Sequence, residues 1–431
     1  MDALAGKRVT VFGLGRFGGG IAVSRWLVSQ NAHITVADQD TSQRLSDSVQ
    51  QLDGLPIQYR FGQQFTNDFK HADLIVASPA IPPRNEFLAA AKESGVPITT
   101  EIRLFIERCP ATILGVTGTK GKSTTTAMLG RMLAKKFTTY VGGNLGGSLL
   151  EKLPEINMSD LVVLELSSYM LEHLRADQWS PHVGLVTMIG ADHLEWHGSL
   201  EAYVEAKKNL LRFQRSNDFA ILNSQDAGAR AFASATEGHC ILYGTPAERA
   251  FHLRLPGKHN AVNAQGAFAA ASIFGVTWEQ AQSAMDDFSG LPHRLELVHE
   301  ENGVRWYNDS IATIPQAAVA ALEAFEPNRV IQIIGGKDKH LPIDAMCAAL
   351  ARRSKAILCI GATGPMLADE IEKHGAKAEN CGDLATAVAA ARAIAECGDI
   401  VLLSPGYPSY DQFVNFEKRG EEFARLAHNG S

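Results

Sequence analysis

The chain has 431 residues, of which 45% are hydrophobic and 20% are charged, so we expect a globular protein of two or three domains. A formal net charge of −7 argues against a general attraction to nucleic acid, and anionic ligands must therefore be held at local basic or N–H-rich sites. The six cysteines form no CxxC pair and no apolar run reaches about 18 residues, which argues against a disulfide framework, a zinc site or membrane insertion and predicts a cytoplasmic protein.

The first α/β region covers residues 7–108. A strand at residues 8–12 leads into a glycine turn at 13–18 and a helix, and a second strand ends at Asp38. This pattern matches the dinucleotide fingerprint, which has an acidic residue about 20 positions after the turn. Taken alone it favours NAD, but a tight turn and a helix N-terminus suit any diphosphate-linked nucleotide. An alternative is that the glycines only permit close packing of helix on strand.

The second region opens with a glycine-rich loop at residues 115–126, between a short β-branched strand and a helix with apolar spacing. The glycines let backbone N–H groups turn toward an anion, and the following helix adds its positive end. Lys122 can reach the β- and γ-phosphates of a nucleotide, and Ser123 can bind Mg²⁺. The glycine spacing departs slightly from the general phosphate-loop pattern, and the alternative is a loop that merely turns.

Two further strands of this region end near candidate magnesium ligands. Glu165 closes an apolar strand at 160–166, and His193 follows a strand at 184–189. A carboxylate at a strand end beside a phosphate loop is placed to bind Mg²⁺, whereas the alternative is a surface acid. A lone histidine is usually structural. Lys207 lies on a helical run at 200–211, where lysines are usually solvated.

The last part of the chain repeats the alternation of strands and helices. Asn260 and Asn263 lie one helical turn apart and can face one ligand together. The sequence of residues 288–294 predicts a link between domains. Arg294, at the end of this link, can bind a phosphate through two N–H groups. After the link, we expect strands at 304–307, 330–334, 356–360 and 400–403, with helices between them, in a mainly parallel sheet.

The sequence therefore predicts an α/β protein of three domains. The first is a Rossmann-like domain at residues 1–109. The second is a P-loop domain with a parallel sheet at residues 110–291. The third is a Rossmann-like α/β domain at residues 292–431.

The motifs occur in the order of one known family. They are the loop at 115–126 and the segments 164–168, 192–193, 259–263, 291–294, 308–310 and 411–413. In this order they resemble the Mur ligases of peptidoglycan synthesis, and most closely the glutamate-adding branch. The resemblance covers nearly the whole chain, and the ordered combination is far more specific than any single motif.

The resemblance implies a monomeric, ATP-dependent ligase of cytoplasmic peptidoglycan precursor synthesis. It would add glutamate, with D-glutamate favoured, to UDP-N-acetylmuramoyl-L-alanine. ATP would activate the substrate carboxylate as an acyl phosphate, and the amino group of glutamate would attack it. The three domains would bind the UDP end of the substrate, ATP and the amino acid in turn, so the turn at 13–18 needs no NAD.

The resemblance also assigns the ATP site. The loop residues implied in nucleotide binding are Gly118, Thr119, Lys120, Gly121, Lys122, Ser123 and Thr124. Further nucleotide contacts are implied for Asn260, Asn263, Arg294 and Asp309. The catalytic residues implied are Lys122, Glu165, His193, Lys207, His293 and Arg294.

Two Mg²⁺ ions are implied at this site. Ser123 and Glu165 would share the first ion between the β- and γ-phosphates. His193 would bind the second ion together with Lys207, which matches a lysine that the family carbamylates. Carbamylation turns the lysine cation into an anionic oxygen ligand.

The substrate contacts follow from the same resemblance. On the UDP-sugar side they are Leu14, Gly15, Arg16, Asp38, Gln39, Ser78, Pro79 and Asn144. On the glutamate side they are Thr313, Lys339, Ser409 and Phe416. Lys339 is the natural partner of the glutamate side-chain carboxylate.

Two positions depart from the family pattern beside the glutamate pocket. Ile311 stands where many relatives have lysine, and Gly406-Tyr407 stands where many have Ala-Cys or Ala-Ala. These departures leave open the branch of the family that adds L-glutamate. Three other functions are weighed against the ligase: a folylpolyglutamate-type ligase, an NAD-dependent oxidoreductase and a nucleotide-gated scaffold without turnover. The N-terminal domain argues against the folylpolyglutamate-type ligase, and the phosphate loop is left unexplained by an oxidoreductase. The scaffold is disfavoured by the presence of Glu165, His193 and Lys207 together.

Overall fold

The computed structural model describes residues 4–15, 18–63, 66–245, 249–255, 257–338 and 341–428. Two predicted site residues, Arg16 and Lys339, lie outside these ranges. The chain forms two compact units. The first comprises residues 1–249 and 262–281, and the second comprises residues 250–261 and 282–431.

The first unit contains two sheets. The strands of the first sheet are β1 (Arg8–Phe12), β2 (His33–Asp38), β3 (Ile57–Phe61), β4 (Leu74–Ala77) and β5 (Ile98–Thr99). They pair in parallel in the order β3-β2-β1-β4-β5, so their carboxyl ends meet at one edge. The helices of this part are α1 (Gly19–Ser29), α2 (Ser46–Gln50), α3 (Thr66–Lys70), α4 (Glu86–Glu93) and α5 (Glu101–Ile106).

The second sheet is also parallel. Its strands are β6 (Thr112–Thr117), β7 (Thr139–Gly143), β8 (Leu161–Glu165), β9 (Val183–Val186), β10 (Phe219–Asn223) and β11 (His239–Tyr243). They lie in the order β11-β10-β9-β6-β8-β7. The strand order reverses at β6, and in such sheets ligands bind at the carboxyl ends of the strands beside the reversal.

The helices that accompany the second sheet are α6 (Lys122–Leu133), α7 (Ser168–Leu174), α8 (Leu194–His197), α9 (Leu200–Lys208), α10 (Ala227–Arg230), α11 (Lys258–Ser272) and α12 (Trp278–Met285). Short 3₁₀ helices occur at Leu150–Glu155, Arg175–Asp177 and Ala231–Ala235. The helix predicted at 200–211 ends earlier, at Lys208. Asn209 is the C-cap residue of this helix, and its side-chain amide donates to the carbonyl oxygen of Leu171 on α7 at 3.1 Å.

One apolar core joins the two sheets of the first unit. It includes Val9 and Ile34 from the first sheet and Val162 and Leu222 from the second. All residues of β8 are buried, as the apolar run around Glu165 predicts for a strand covered on both faces. The carboxyl edges of both sheets are thus fixed within a single packed body.

The second unit contains the third sheet. Its strands are β12 (Glu296–Glu301), β13 (Val304–Asn308), β14 (Val330–Gly335), β15 (Ser354–Ile360), β16 (Glu379–Gly382) and β17 (Ile400–Leu403). The order is β12-β13-β17-β14-β15-β16, antiparallel between β12 and β13 and parallel elsewhere. The helices are α13 (Pro315–Leu322), α14 (Asp344–Arg353), α15 (Gly364–Lys373), α16 (Leu384–Ile394) and α17 (Phe416–His428).

The predicted α/β fold class is confirmed by these three sheets. The mainly parallel third sheet is also as predicted, with one antiparallel edge strand added. Among the helices that the structure describes, none combines the length and the apolar composition needed to cross a bilayer.

Candidate active site

The glycine-rich loop leaves the carboxyl end of β6 and enters α6, as predicted. Gly118 has a φ of 151°, and a Cβ atom there would lie 1.9 Å from the Thr187 hydroxyl oxygen. Gly121 has a φ of 85° and immediately precedes Lys122, the first residue of α6. Only glycine suits both positions, and the first N–H groups of α6 are left facing the loop, where an anion can bind.

Hydrogen bonds of two threonines hold the loop in place. The Thr187 hydroxyl donates to the carbonyl oxygen of Lys120 at 2.6 Å. The Thr119 backbone N–H donates to the carbonyl oxygen of Met188 at 2.6 Å. The Thr119 hydroxyl lies 2.9 Å from the hydroxyl of Tyr203 on α9. The phosphate loop is therefore attached both to the segment after β9 and to α9.

Lys122 lies at the first position of α6, and its ammonium donates to the carbonyl oxygen of Thr119 at 3.1 Å. The side chain therefore folds back over the loop, which is the place where it would meet a phosphate. Ser123 and Thr124 follow in the first turn of the same helix. Asn263 on α11 approaches the same turn, because a Cβ atom on Gly121 would lie 2.8 Å from the Asn263 amide oxygen.

Glu165 is completely buried at the end of β8. One of its carboxylate oxygens, Oε1, accepts a hydrogen bond of 2.8 Å from the side chain of Asn144. The other, Oε2, is buried without a hydrogen-bond partner. A buried, half-satisfied carboxylate at the carboxyl edge of β8 fits a hard cation such as Mg²⁺, which prefers oxygen ligands.

Lys207 is the buried lysine of this site. Only 1% of its surface is exposed, and its ammonium nitrogen lies 2.7 Å from the carbonyl oxygen of Gly118. Burial, followed by the charge of Lys122, lowers the pKa of Lys207 well below its usual value. Lysines on a helix are usually solvated, but Lys207 is buried because α9 packs against the phosphate loop. The neutral amine is favoured here over the ammonium.

His193 precedes α8 and has a positive φ of 51°. Its ring packs 4.8 Å from the ring of Tyr169, measured between centroids, and 43% of its side chain is exposed. The carboxylate oxygens of Asp192 and Glu195 lie 3.6 and 3.7 Å from its ring nitrogens. The His193 side chain is thus accessible and lies near two carboxylates, an environment that suits a side chain that binds a metal cation.

Within the part of the chain that the structure describes, no three histidine, cysteine or carboxylate ligand atoms lie close together around the phosphate loop. Among the described residues, histidine, cysteine and carboxylate ligand atoms form a group of three at Asp344, Glu370 and His374 in the second unit. Glu370 is already paired with Lys373 at 2.6 Å, and Asp344 is exposed. Ions bound near Glu165 and His193 would therefore need further oxygen ligands.

The glycine turn after β1 is held by Asp38. The Gly15 N–H donates to one carboxylate oxygen of Asp38 at 3.0 Å, and the Asp40 N–H donates to the other at 2.9 Å. Gly13 has a φ of 93°, and a Cβ atom there would lie 2.7 Å from Cβ of Ser78. Leu14 is buried and Gln39 is exposed. Asp38 thus shapes the turn itself, in addition to any ligand contact.

In the second unit, His293 and Asp309 lie around the start of the third sheet. The side-chain nitrogen of Asn308 lies 2.9 Å from Nδ1 of His293. Asp309 is 6% exposed and accepts a hydrogen bond of 2.7 Å from Ser404. Burial raises the pKa of Asp309 to about 7, although Ser404 and the charge of Arg294 act in the opposite direction.

The predicted glutamate contacts that the structure describes lie on neighbouring segments of the second unit. Ser409 is 2% exposed, and its hydroxyl oxygen is buried without a partner. Phe416 is the first residue of α17, and its carbonyl oxygen accepts from the hydroxyl of Ser310 at 2.8 Å. Thr313 is partly buried just before α13.

Sequence reasoning missed Arg419, which is 1% exposed. Its guanidinium donates to the hydroxyl and carbonyl oxygens of Ser310 and to the carbonyl oxygen of Tyr407, each at 3.0 Å. Burial lowers its pKa to about 10. The signal was available in part, because Arg419 lies one helical turn after Phe416 and therefore on the same face of α17.

Family models match the chain in three consecutive parts. They are described as the Mur ligase MurD-like N-terminal domain at residues 7–100, the Mur ligase middle domain at 116–251 and the Mur ligase glutamate ligase domain at 293–406. A relative from Roseiflexus sp. (strain RS-1), named UDP-N-acetylmuramoylalanine–D-glutamate ligase, is 40% identical over 99% of each chain. The chain belongs to the Mur ligase family.

A second relative with the same name, from Symbiobacterium thermophilum, is 35% identical over 97% of each chain. Among solved structures, the Mur ligase fold is matched by UDP-N-acetylmuramate-alanine ligase MurC from Thermotoga maritima, with a TM-score of 0.65 and 18% identity over 99% of this chain and 100% of that one. MurF from Acinetobacter baumannii gives a TM-score of 0.57 at 16% identity over 98% of this chain and 91% of that one. In this Mur ligase, the phosphate loop, Glu165, His193 and Lys207 fall in the middle domain.

Proposed function

We propose that this Mur ligase joins D-glutamate to UDP-N-acetylmuramoyl-L-alanine with the hydrolysis of ATP, in peptidoglycan precursor synthesis. The observation that carries the proposal is the site at the carboxyl edge of the second sheet. There, a phosphate loop, a buried carboxylate with one unpaired oxygen and a buried lysine lie together. The relatives named for this reaction, at up to 40% identity over 99% of this chain, support the choice of substrates.

The phosphate loop would hold the triphosphate of ATP. The N–H groups at the start of α6, with the ammonium of Lys122, offset the phosphate charge. Gly118, Thr119, Lys120, Gly121, Ser123 and Thr124 complete this part of the site. Asn260, Asn263, Arg294 and Asp309 are proposed to bind the remainder of the nucleotide.

Ser123 and Glu165 are the proposed ligands of one Mg²⁺. The unpaired Oε2 of Glu165 is the observation that supports this assignment. His193 and Lys207 are the proposed ligands of a second Mg²⁺. Bound ions would neutralise phosphate charge as the phosphoryl group is transferred.

Lys207 is proposed to be carbamylated. Its neutral amine would attack carbon dioxide, a nitrogen–carbon bond would form, and one proton would be released to give an anionic carbamate. The lowered pKa supports this reaction, since the amine lone pair must be free. The carbamate would offer oxygen ligands to a bound cation.

The reaction would proceed in two steps. The carboxylate of the L-alanine residue attacks the γ-phosphorus of ATP, and the bond between this phosphorus and the β-phosphate oxygen breaks. The products of this step are ADP and an acyl phosphate. The amino group of glutamate then attacks the acyl carbon, phosphate departs, and the nitrogen loses a proton to give the amide. His293 and Arg294 are proposed to act beside the transferred phosphate.

The two substrates are assigned to separate parts of the chain. The UDP end is proposed to bind at Leu14, Gly15, Arg16, Asp38, Gln39, Ser78, Pro79 and Asn144. Glutamate is proposed to bind at Thr313, Lys339, Ser409 and Phe416. We also propose domain boundaries after residues 109 and 291. The presence of three separate sheets supports this division. A cytoplasmic, monomeric enzyme remains part of the proposal.

The proposal is tested by phosphate release from ATP in the presence of UDP-N-acetylmuramoyl-L-alanine and either enantiomer of glutamate. We expect release with D-glutamate that depends on all three substrates and on Mg²⁺. Omission of each component in turn is the matched control. Turnover with L-glutamate but not D-glutamate would move the enzyme to the other branch, and no turnover with either would reject the ligase function.

A further inference from the structure

The indole of Trp196 connects the middle domain to the loop after β4. Its Nε1–H donates to the carbonyl oxygen of Ala80 at 3.0 Å. Ala80 directly follows Ser78 and Pro79, which are proposed contacts of the UDP-linked substrate. Trp196 itself lies on α8, three residues after His193. One side chain thus joins the segment of a proposed metal ligand to a substrate loop on the other sheet of the first unit.

The loop that receives this hydrogen bond packs on the glycine turn. The Ser78 N–H donates to the carbonyl oxygen of Phe12 at 2.7 Å. A Cβ atom on Gly13 would lie 2.7 Å from Cβ of Ser78 and 3.2 Å from Cδ1 of Ile81. Ser78 thus packs directly on Gly13, so a displacement of residues 78–81 would also displace the start of the turn where the diphosphate is proposed to bind.

His173 on α7 supports the same loop. Its ring faces the backbone of Pro79 and Ile81, and burial lowers its pKa, which favours the neutral ring. The rings of His173 and Trp196 meet edge to face, with 6.4 Å between their centroids. The loop is therefore held by two side chains of the middle domain.

On its other side, Trp196 belongs to a continuous row of rings, which we call the aromatic bridge: Tyr169, Trp196, His197 and Tyr203. Trp196 lies 4.8 Å from Tyr169 and 4.5 Å from His197, between ring centroids. His197 lies 5.4 Å from Tyr203, whose hydroxyl is 2.9 Å from that of Thr119 in the phosphate loop. The bridge runs from Ala80 to the phosphate loop without a gap.

We propose that Trp196 is a positioning residue that holds the substrate loop at 78–81 and, through the aromatic bridge, couples binding of the UDP-linked substrate to binding of ATP. This inference rests on the proposed function for the identity of the two ligands. The hydrogen bond to Ala80 positions the loop, and the ring contacts set the orientation of the segment carrying His193. Because coupling between two sites is reciprocal, each ligand should raise the affinity for the other.

The first test is Trp196→Phe, which keeps an aromatic ring and removes the indole N–H. Trp278→Phe on α12 is the matched control. Hydrogen exchange of the backbone amides at 78–85 needs no ligand. We expect it to become about 2- to 10-fold faster in Trp196→Phe and to be unchanged in the control, as fits the loss of one hydrogen bond between neutral groups. Unchanged exchange in Trp196→Phe would overturn the positioning role, whatever the enzyme's substrates are.

The second test measures coupling. Calorimetry gives the Kd of UDP-N-acetylmuramoyl-L-alanine with and without a non-hydrolysable ATP analogue and Mg²⁺. In the wild type and in Trp278→Phe, we expect the nucleotide to tighten this binding, whereas the ratio of the two Kd values should fall toward one in Trp196→Phe. A ratio unchanged by Trp196→Phe would reject the coupling alone. A wild type that binds no UDP-linked substrate would reject the proposed function as well.

Discussion

The side-chain nitrogen of Lys207 lies 2.7 Å from the carbonyl oxygen of Gly118, so a lysine of α9 is fixed against the first glycine of the phosphate loop after β6. The contact is buried, and the field of Lys122 adds to the cost of a second positive charge there. The arrangement favours a neutral amine at a place where a nucleotide phosphate is proposed to bind.

Lys207→Ala should therefore be inactive, because the proposed carbamate oxygens are lost. Short carboxylic acids should partly restore its activity by supplying oxygens in the same cavity. Steady-state phosphate release, with and without added acetate, measures both effects. Lys208→Ala is the matched control, since Lys208 pairs with Glu205 at 2.7 Å and lies outside the proposed site. Full activity in Lys207→Arg would exclude a carbamate, because a guanidinium cannot form one.

Lys122→Ala should lower turnover by about 100-fold or more, which is the usual effect of removing one group that stabilises charge in a transition state. The physical reason is that the ammonium at the start of α6 offsets phosphate charge during transfer. Lys135→Ala, just beyond the end of the same helix, should leave turnover unchanged. Phosphate release by Lys122→Ala near the wild-type rate would contradict the phosphate-loop assignment.

The sequence was sufficient to predict elements whose signals are local. In residues 112–126, the β-branched residues predict a strand, the glycines predict a loop and the apolar spacing predicts a helix. The structure has these elements in the same order. Glu165 could be placed at the end of a buried strand for the same reason. Local signals of this kind do not depend on the rest of the chain.

Other features depend on contacts between distant segments, which spacing cannot reveal. The burial of Lys207 follows from the packing of α9 on the phosphate loop, 89 residues earlier in the chain. Arg419 reaches Ser310 across 109 residues, and Trp196 reaches Ala80 across 116 residues. A helical lysine, arginine or tryptophan has the same local pattern whether it is solvated or buried, so only the tertiary structure distinguishes the two cases.

The glycine turn at 13–18 should bind the UDP-linked substrate and neither NAD nor NADP. Asp38 accepts hydrogen bonds from the N–H groups of Gly15 and Asp40, so its carboxylate is already used in shaping the turn. Calorimetry with each of the three ligands is the measurement. Asp38→Ala should weaken binding of the UDP-linked substrate, whereas Asp47→Ala on α2 serves as a control. Micromolar binding of NAD that is lost in Asp38→Ala would overturn this assignment.

Asp309 should make the stability of the protein depend on pH. Burial raises its folded-state pKa to about 7, above its usual value of 3.8, so the folded form holds a proton that the unfolded form releases. Its contribution to stability is therefore fully present below about pH 4 and is lost as the pH rises toward and through 7. Urea unfolding of the wild type and of Asp309→Asn between pH 4 and 8 measures the effect. The stability of the wild type relative to Asp309→Asn should fall across this range, and a constant difference would show that Asp309 does not titrate there.

The choice of amino acid should depend on Lys339, which is proposed to pair with the side-chain carboxylate of glutamate. A charge-assisted hydrogen bond contributes about 1.5–3 kcal/mol, so Lys339→Ala should raise the KM for glutamate by about 10- to 100-fold. The KM for ATP should change little, because the lost contact binds only the amino acid. Lys337→Ala is the control, because the backbone of that residue, not its side chain, donates to the carbonyl oxygen of Pro408 at 2.8 Å.

The same assays decide the stereochemistry. Ser409, whose buried hydroxyl oxygen has no hydrogen-bond partner, is also a proposed glutamate contact, so Ser409→Ala should raise the glutamate KM as well. Relatives named for D-glutamate favour that enantiomer, and Ile311 and Gly406-Tyr407 are the positions that would permit L-glutamate. Each variant is therefore assayed with both enantiomers. A wild-type preference for L-glutamate would reject the stereochemical assignment, while an unchanged glutamate KM in Lys339→Ala would reject the pairing and leave the ligase function intact.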